Sequence, residues 1–200
     1  MNVSFTALAP QETDADTVAI GVFEGDEAPA GAPTEVGELL ANGEAKRSPK
    51  ALALTHADGK RWLVVGLGKR EDFTPERARV AAALVRDRAK ELSTKALCWQ
   101  APTDDPAVAG ALVEGTVLAD YSFDSHKSKG KESDTPPKHL DRLIVSGADD
   151  LAQAVDRAGV VATAVNEARD LQNRPANDLT PTALGKHALG LAEEIEHLSV

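Results

Sequence analysis

Arg61-Trp62-Leu63-Val64-Val65-Gly66-Leu67, followed by Thr74-Pro75-Glu76 and then by Ala78, Ala81, Ala82, Val85, Ala89 and Leu92, decides the fold class. The first seven residues form a short apolar run rich in β-branched side chains, which suits a strand buried on both faces. The residues after Glu76 repeat at helical spacing. Thr74 is placed to cap the free backbone N–H groups, and Pro75 sacrifices no hydrogen bond at the first helical position. A buried strand leading into an amphipathic helix is half of a crossover unit.

The sequence on either side extends this pattern. Upstream, Val3–Leu8 and Thr17–Phe23 read as strands separated by the acidic turn Glu12-Thr13-Asp14-Ala15-Asp16. Glu24–Lys50 is rich in Pro, Gly and Glu, with one short helical candidate at Glu35–Leu40. Ala51–Thr55 is a further strand, and Ala57-Asp58-Gly59-Lys60 carries the Asp-Gly pair that favours a hairpin into Arg61. Downstream, Ala96–Gln100 is a strand and Asp105-Pro106 opens a helix running towards Tyr121. Ser125–Lys138 reads as a polar surface loop and Leu140–Ser146 as a strand. A long helix then runs from Asp149-Asp150 through Leu171. The alternation predicts an α/β fold, a mixed and mostly parallel sheet flanked by helices on both faces. Thr180-Pro181 opens a last helix with Leu184, Ala188, Leu191, Ile195 and Leu198 on one face. No Gly, Asn or Pro stops it before Val200, which suggests a break within a longer protein.

Composition narrows the function. The chain has 200 residues and is 42% hydrophobic and 4% aromatic, a mix that suits helices packed on a sheet. A net charge of −10 disfavours nucleic acid as the main partner. Only Arg86–Lys90 and Lys127–Lys131 are locally basic, and both read as solvated surface. No run of eighteen apolar residues is present to span a membrane. The N-terminus lacks a basic head and an apolar signal core, and the single Cys98 cannot form an internal disulfide. A cytoplasmic protein is expected.

Candidate chemistry is sparse. His56, His126, His139, His187 and His197 include no pair at the i, i+4 spacing that places two imidazoles on one helical face. Glu193, Glu194, Glu196 and His197 form an acidic cluster better explained as helix surface. Gly66-Leu67-Gly68-Lys69-Arg70 follows a strand and precedes a helix, but it fits neither G-x-G-x-x-G nor G-x-x-x-x-G-K-[ST]. Its glycines are expected to end the strand in a tight turn. Cys98, flanked by Leu97 and Trp99, reads as a core residue because nothing nearby would lower its pKa. Ser122, Ser125 and Ser128 lie near His126 without a G-x-S-x-G elbow, which argues against a serine hydrolase. No residue is assigned a catalytic, cofactor-binding or metal-binding role.

Ala168-Arg169-Asp170-Leu171-Gln172-Asn173-Arg174-Pro175-Ala176-Asn177-Asp178-Leu179-Thr180-Pro181 is the most distinctive stretch. It resembles the signature joining the two domains of the leucyl aminopeptidase (cytosol aminopeptidase) family, with Asn173, Pro175, Asn177, Thr180 and Pro181 in register. Two more blocks agree in order. Arg61 to Glu71 with Thr74-Pro75-Glu76 resembles the family's GLG block, and Glu114-Gly115 through Tyr121-Ser122-Phe123-Asp124 resembles its EG…Y-x-F-d helix end. Gln172 departs from the family, which usually has an aliphatic residue there. The Glu24–Pro33 loop is also richer in Pro and Gly than the family's. Physically, the signature reads as a rigid elbow: Arg174 is held extended by Pro175, Asn177 and Asp178 bond nearby backbone, and Thr180 caps the next helix.

The resemblance implies a division into residues 1–150, a macro-like N-terminal domain, 151–172, an inter-domain helix, and 173–200, the start of a peptidase domain. It implies an enzyme that removes N-terminal residues from peptides with two divalent ions, Mn or Zn, in a C-terminal domain, and that assembles as a hexamer. The family's metal motifs, of the kind GKGitFDsGG and NTDAEGRL, have no counterpart between Met1 and Val200. This chain alone is therefore expected to bind no metal and to be inactive. The alternative is a macro-type module that binds a nucleotide or ADP-ribose, for which no glycine-rich phosphate loop with an adenine-reading acid is evident.

Overall fold

In a computed structural model the described residues are 1–123 and 139–200. The Ser125–Lys138 loop expectation, His126 and the basic Lys127–Lys131 stretch fall outside them.

Six strands form one sheet in the order β1-β6-β5-β2-β4-β3: β1 (Asn2–Thr6), β2 (Thr17–Phe23), β3 (Leu52–Ala57), β4 (Lys60–Gly68), β5 (Ala96–Gln100) and β6 (Arg142–Ser146). Four of the five pairings are parallel, and β3 alone runs antiparallel, against β4. Its hairpin turns at Asp58 (φ 51°) and Gly59 (φ 74°), the two left-handed residues that a two-residue turn with the right twist demands. All seven residues of β2 are buried, as expected of a central parallel strand covered on both faces.

The helices divide between the two faces. α2 (Pro75–Glu91), α3 (Pro106–Ala119) and α4 (Ala152–Asn173) cover the face that presents Ala19, Leu63, Val65, Leu97, Trp99, Leu143 and Val145. α1 (Thr34–Ala41) covers the other, packing Val36 and Leu40 with Val18, Ile20, Val22, Trp62 and Val64. Alternating side chains of the same strands thus enter two separate cores. The predicted mostly parallel sheet with helices on both faces is what forms.

Thr74 caps α2 by accepting from the Arg77 N–H at 3.3 Å, Asp105 caps α3 through Ala107 at 2.8 Å, and Thr180 caps α5 (Pro181–Glu194) through Ala183 at 3.2 Å. In each, Pro occupies the first turn.

Three expectations are corrected. β1 ends at Thr6, not Leu8: the Leu8 N–H turns back onto the Thr6 hydroxyl, and Leu8 is 54% exposed. α5 does not run to Val200. It stops at Glu194, where Ile195 becomes extended (φ −110°, ψ 106°). Glu193, Glu194 and Glu196 crowd negative charge against the negative end of the helix, and Ile195 and Leu198, at 50% and 40% exposure, bury too little to hold them helical. Arg86, in the stretch read as solvated surface, is buried at 2% exposure and bound to Asp120.

Candidate functional site

The elbow meets its expectation at Arg174 and at the Thr180 cap, whereas the Asp178 side chain goes to the Arg174 guanidinium rather than to backbone. Arg174 is extended (φ −71°, ψ 138°) and ends α4. The N–H groups of Asp178 and Leu179 both bond the Pro175 carbonyl at 2.9 Å, and Arg174 pairs with Asp178 at 3.2 Å. Upstream, the elbow is tied to the end of α3. Tyr121 donates its hydroxyl proton to Asp170 at 2.9 Å and accepts from the Asn173 amide at 2.9 Å. The Arg169 guanidinium lies 3.8 Å above the Tyr121 ring and donates to the Leu118 carbonyl at 3.1 Å and to Asn166 at 3.0 Å. Partial burial, together with Asp170, holds the Tyr121 pKa above the usual phenol value. The Tyr-x-Phe and Arg-Asp-Leu-x-Asn blocks, separate in sequence, are thus two halves of one clasp.

Beneath the clasp, Arg86 donates from Nε at 2.7 Å and from a terminal nitrogen at 2.6 Å to one Asp120 oxygen, which also accepts the Leu140 N–H at 3.2 Å. His139 sets Nδ1 3.0 Å from the Asp120 carbonyl and 3.3 Å from its carboxylate, with Nε2 3.2 Å from the Ser122 hydroxyl. This places an acid, an imidazole and a hydroxyl in series, an arrangement that sequence spacing did not reveal because Ser122 had been set beside His126. The carboxylate is already bound by a buried guanidinium, so its charge serves the ion pair rather than an imidazolium. The set ties the end of α3 to the start of β6.

The two glycine motifs are packing devices. A Cβ on Gly66 would lie 2.2 Å from the Ser48 carbonyl oxygen and 2.6 Å from that of Lys46, because the Arg47–Pro49 segment crosses directly over β4 there. Gly68 (φ 76°) closes the strand and donates to the Arg47 carbonyl at 2.8 Å. The expected tight turn holds for Gly68, whereas Gly66 is needed for close approach within the strand. A Cβ on Gly115 would meet the Arg79 carbonyl at 2.4 Å, so Gly115 lets α3 lie against α2. Glu114 beside it takes Arg79 at 2.6 Å and raises the Arg79 pKa.

One crevice remains unaccounted for. β2 and β5 pair only from Thr17↔Leu97 to Ala19↔Trp99, while β2 stays on β4 to Phe23 and β5 stays on β6 to Gln100. The strands part above Ala19. The connection from β2 leaves over the α1 face towards β4, and that from β5 leaves over the α3 face towards β6. This is a topological switch point, where open parallel sheets receive ligands at the carboxyl ends of their strands. A 230 Å³ cavity lies there, lined among others by Phe23, Asp26, Glu27, Arg70 and Gln100. It is smaller than the roughly 300–1,000 Å³ of ordinary ligand clefts, which disfavours an ADP-ribose-sized occupant. Arg70 stacks 4.1 Å over Phe23 and pairs with Asp26 at 2.6 Å. Gln100 donates its amide N–H to the Ala30 carbonyl at 3.0 Å, leaving its Oε1 buried without a partner. Sequence reasoning weighed Arg70 only as the end of a glycine motif that fits no phosphate loop, and it passed over Gln100. Their positions, just beyond β4 and at the end of β5, were the available signal.

Cys98 is fully buried, and burial pushes its thiol up to about 11, as its apolar neighbours implied. Among the described residues no group of three or more His, Cys, Asp or Glu side chains is placed to hold a metal ion, the Glu193–His197 cluster included. Nor, among them, is any helix long and apolar enough to cross a membrane.

Residues 19–130 match the family model for the N-terminal domain of the cytosol aminopeptidase family. The chain belongs to this family. A probable cytosol aminopeptidase of Roseiflexus castenholzii is 33% identical over 96% of this chain and 41% of its own length. Another, from Solibacter usitatus, is 36% identical over 92% of this chain and 38% of its own. The chain thus spans about two fifths of the length of the curated relatives it matches. Among solved structures, the bottromycin maturation enzyme BotP superposes with a TM-score of 0.71 at 29% identity, covering 90% of this chain and 37% of BotP. A second BotP structure is a complex with Mn. A mutant tomato leucine aminopeptidase gives a TM-score of 0.75 over 97% of this chain and 42% of its own; at 23% identity it speaks for the fold alone. The expectation of a mixed, mostly parallel α/β sheet flanked by helices stands, and the nucleotide-binding module is not favoured.

Proposed function

We propose that this chain is the N-terminal, assembly and regulatory portion of a leucyl aminopeptidase-type enzyme that removes N-terminal amino acids from peptides. The observation that carries this reading is the family match combined with the length of the relatives, of which the chain corresponds to about two fifths. The surface supports it. α4 leaves Val160, Val161 and Val165 at 72%, 46% and 42% exposure, and α5, just past the elbow, buries no residue. A stripe of valines on a helix that already packs its other side on the sheet suits an element wedged between two bodies. On this reading residues 1–150 are the first domain, 151–172 the inter-domain helix and 173–200 the opening of the peptidase domain.

Two divalent ions, Mn or Zn, would supply the hydrolytic chemistry: ions a few ångströms apart lower the pKa of a shared water and stabilise the developing oxyanion. The described residues do not fit such a pair, since no side-chain set here is arranged to hold one. The ions are therefore assigned to the part of the protein that follows the elbow, and no catalytic step is routed through this chain. A cytoplasmic location and a homo-hexamer complete the proposal, with peptides as substrates and no nucleic-acid or membrane partner.

The test is direct. The purified 200-residue chain, incubated with leucine p-nitroanilide and either Mn²⁺ or Zn²⁺, should release no p-nitroaniline above a heat-treated control. Release above that control would sink the assignment of catalysis to the following portion. Light scattering of the longer protein should report an oligomer, and a strict monomer would remove the assembly role.

A further inference from the structure

We propose that Tyr121 is the positioning residue of the elbow: the clasp it anchors, rather than a core, fastens the end of α4 to the domain, and releasing it frees that end while the sheet stays folded. The inference rests on this chain alone and stands or falls apart from the peptidase reading. If both hold, Tyr121 sets the direction in which the following domain leaves.

Packing along α4 changes at Ala162. Up to that point the helix is built into the domain: Val155, Ala158, Gly159 and Ala162 are buried. A Cβ on Gly110 of α3 would lie 3.5 Å from that of Ala158, and one on Gly159 would lie 3.3 Å from Val3 of β1. From Thr163 to Asn173, about three turns, no residue is buried. Among the described residues, two cavities of about 310 and 290 Å³ both border Glu167 and Asp170. Intrinsic preference does not make up the loss. Thr163, Val165 and Asn166 are weak helix formers close together, and the last turn sets Asp170 and no basic residue against the negative helix end.

What holds these turns is polar and comes from α3. The Val117 and Leu118 carbonyls are among the four that the end of α3 leaves open. The Asn166 amide donates to the first at 3.2 Å and Arg169 to the second at 3.1 Å, so α4 caps α3 from the side. Tyr121, directly after the cap residue Asp120, then closes the arrangement at three points. Its hydroxyl sits between Asp170 and Asn173, and its ring lies beneath the Arg169 guanidinium. Donation to Asp170 offsets that carboxylate's unfavourable place at the helix end. Such contacts near the surface are each worth little, so the clasp opens at far lower cost than the sheet unfolds.

The experiment compares the 200-residue chain with Tyr121→Phe and Tyr121→Ala by native-state hydrogen exchange, and by urea unfolding followed through Trp62 and Trp99, both fully buried. Tyr121→Phe keeps the ring beneath Arg169 and loses both hydroxyl contacts, so the Glu167–Asn173 amides should exchange about fivefold faster. Tyr121→Ala loses the ring as well, and the same amides should exchange about twentyfold faster. In both variants the amides of Val155, Ala158 and β2 should keep the parent's rates, and the tryptophan transition its midpoint. Arg169→Leu should reproduce the effect, and Arg169→Lys should restore part of the protection. Tyr121→Phe removes a single oxygen, so the test stands even if Tyr121→Ala does not fold. Unchanged exchange at Glu167–Asn173 in the Tyr121 variants would overturn the proposal, because those turns would then hold themselves. A rise of equal size in β2 with a lower midpoint would overturn it too, because Tyr121 would then stabilise the domain as a whole.

Discussion

Single atoms decide whether several positions tolerate change. Gly66 lies under two backbone carbonyls that cannot move without shifting the Arg47–Pro49 crossing. Gly66→Ala should therefore destabilise the chain by about 1–3 kcal/mol or more in urea unfolding, the range for forced overpacking. Gly21→Ala should cost less: its nearest neighbour, at 2.4 Å, is the end of the Leu67 side chain, which can rotate. The pair Arg86–Asp120 makes the opposite kind of test. Asp120→Ala removes the carboxylate that accepts two N–H groups of a buried guanidinium and should cost roughly 3–5 kcal/mol, whereas Arg86→Met with Asp120→Leu should recover much of that loss. Cys98 links burial to pH. Its folded pKa of about 11 lies above the unfolded value, so the folded state holds the thiol proton more tightly. The stability this confers is complete below about pH 9 and is lost as pH rises towards 11. The loss amounts to roughly 2–3 kcal/mol. Unfolding free energies from urea titration should fall across that interval by this much more for the parent than for Cys98→Ala, and parallel curves would refute the link.

At the scale of elements, what could be read from sequence tracks how local the cause is. Caps were legible because Thr74-Pro75, Asp105-Pro106 and Thr180-Pro181 act within a single turn. The β3–β4 hairpin was legible because Asp58-Gly59 alone selects its turn. The buried Arg86 was not: its partner Asp120 lies 34 residues away, and no pattern within α2 distinguishes a guanidinium facing α3 from one facing water. The switch-point crevice was missed for the same reason, since it arises from where the β2–β5 ladder stops rather than from any motif. The end of α5 was misjudged because periodicity at Ile195 and Leu198 carried more weight than the carboxylates around them. α5 also has the lowest expected local stability. With no buried residue it should open independently of the sheet. Its amides should exchange with deuterium within seconds while those of β2 remain protected for hours; equal protection would show that α5 is docked.

For the whole molecule, the question is what covers the outer side of α4. That helix carries valines on both sides: Val155, with Ala158 and Ala162, faces the sheet, while Val160, Val161 and Val165 face away among charged residues. The cavity where α4 approaches the end of α5 and the Met1–Val3 terminus, about 620 Å³, is lined by Val160, Ala164, Leu191 and Ile195 among others. A chain of net charge −10 gains little from such a surface on its own, because exposed valines neither bury area nor add solubility. The surface is explained if the remainder of a protein of the relatives' length packs against it. Replacing Val160 and Val161 by Glu should then have two different consequences. In the 200-residue chain both valines are exposed, at 72% and 46%, so urea stability should change by no more than about 1 kcal/mol. In a protein extended past the elbow to the relatives' length, the same substitution would bury carboxylates against the following domain and should lower the unfolding temperature by several degrees, through about 2 kcal/mol or more of unpaired burial. Measuring both proteins side by side isolates the interface from the fold. A loss of equal size in both would mean that the valines stabilise this domain itself, and a loss in neither would leave the following domain to dock elsewhere.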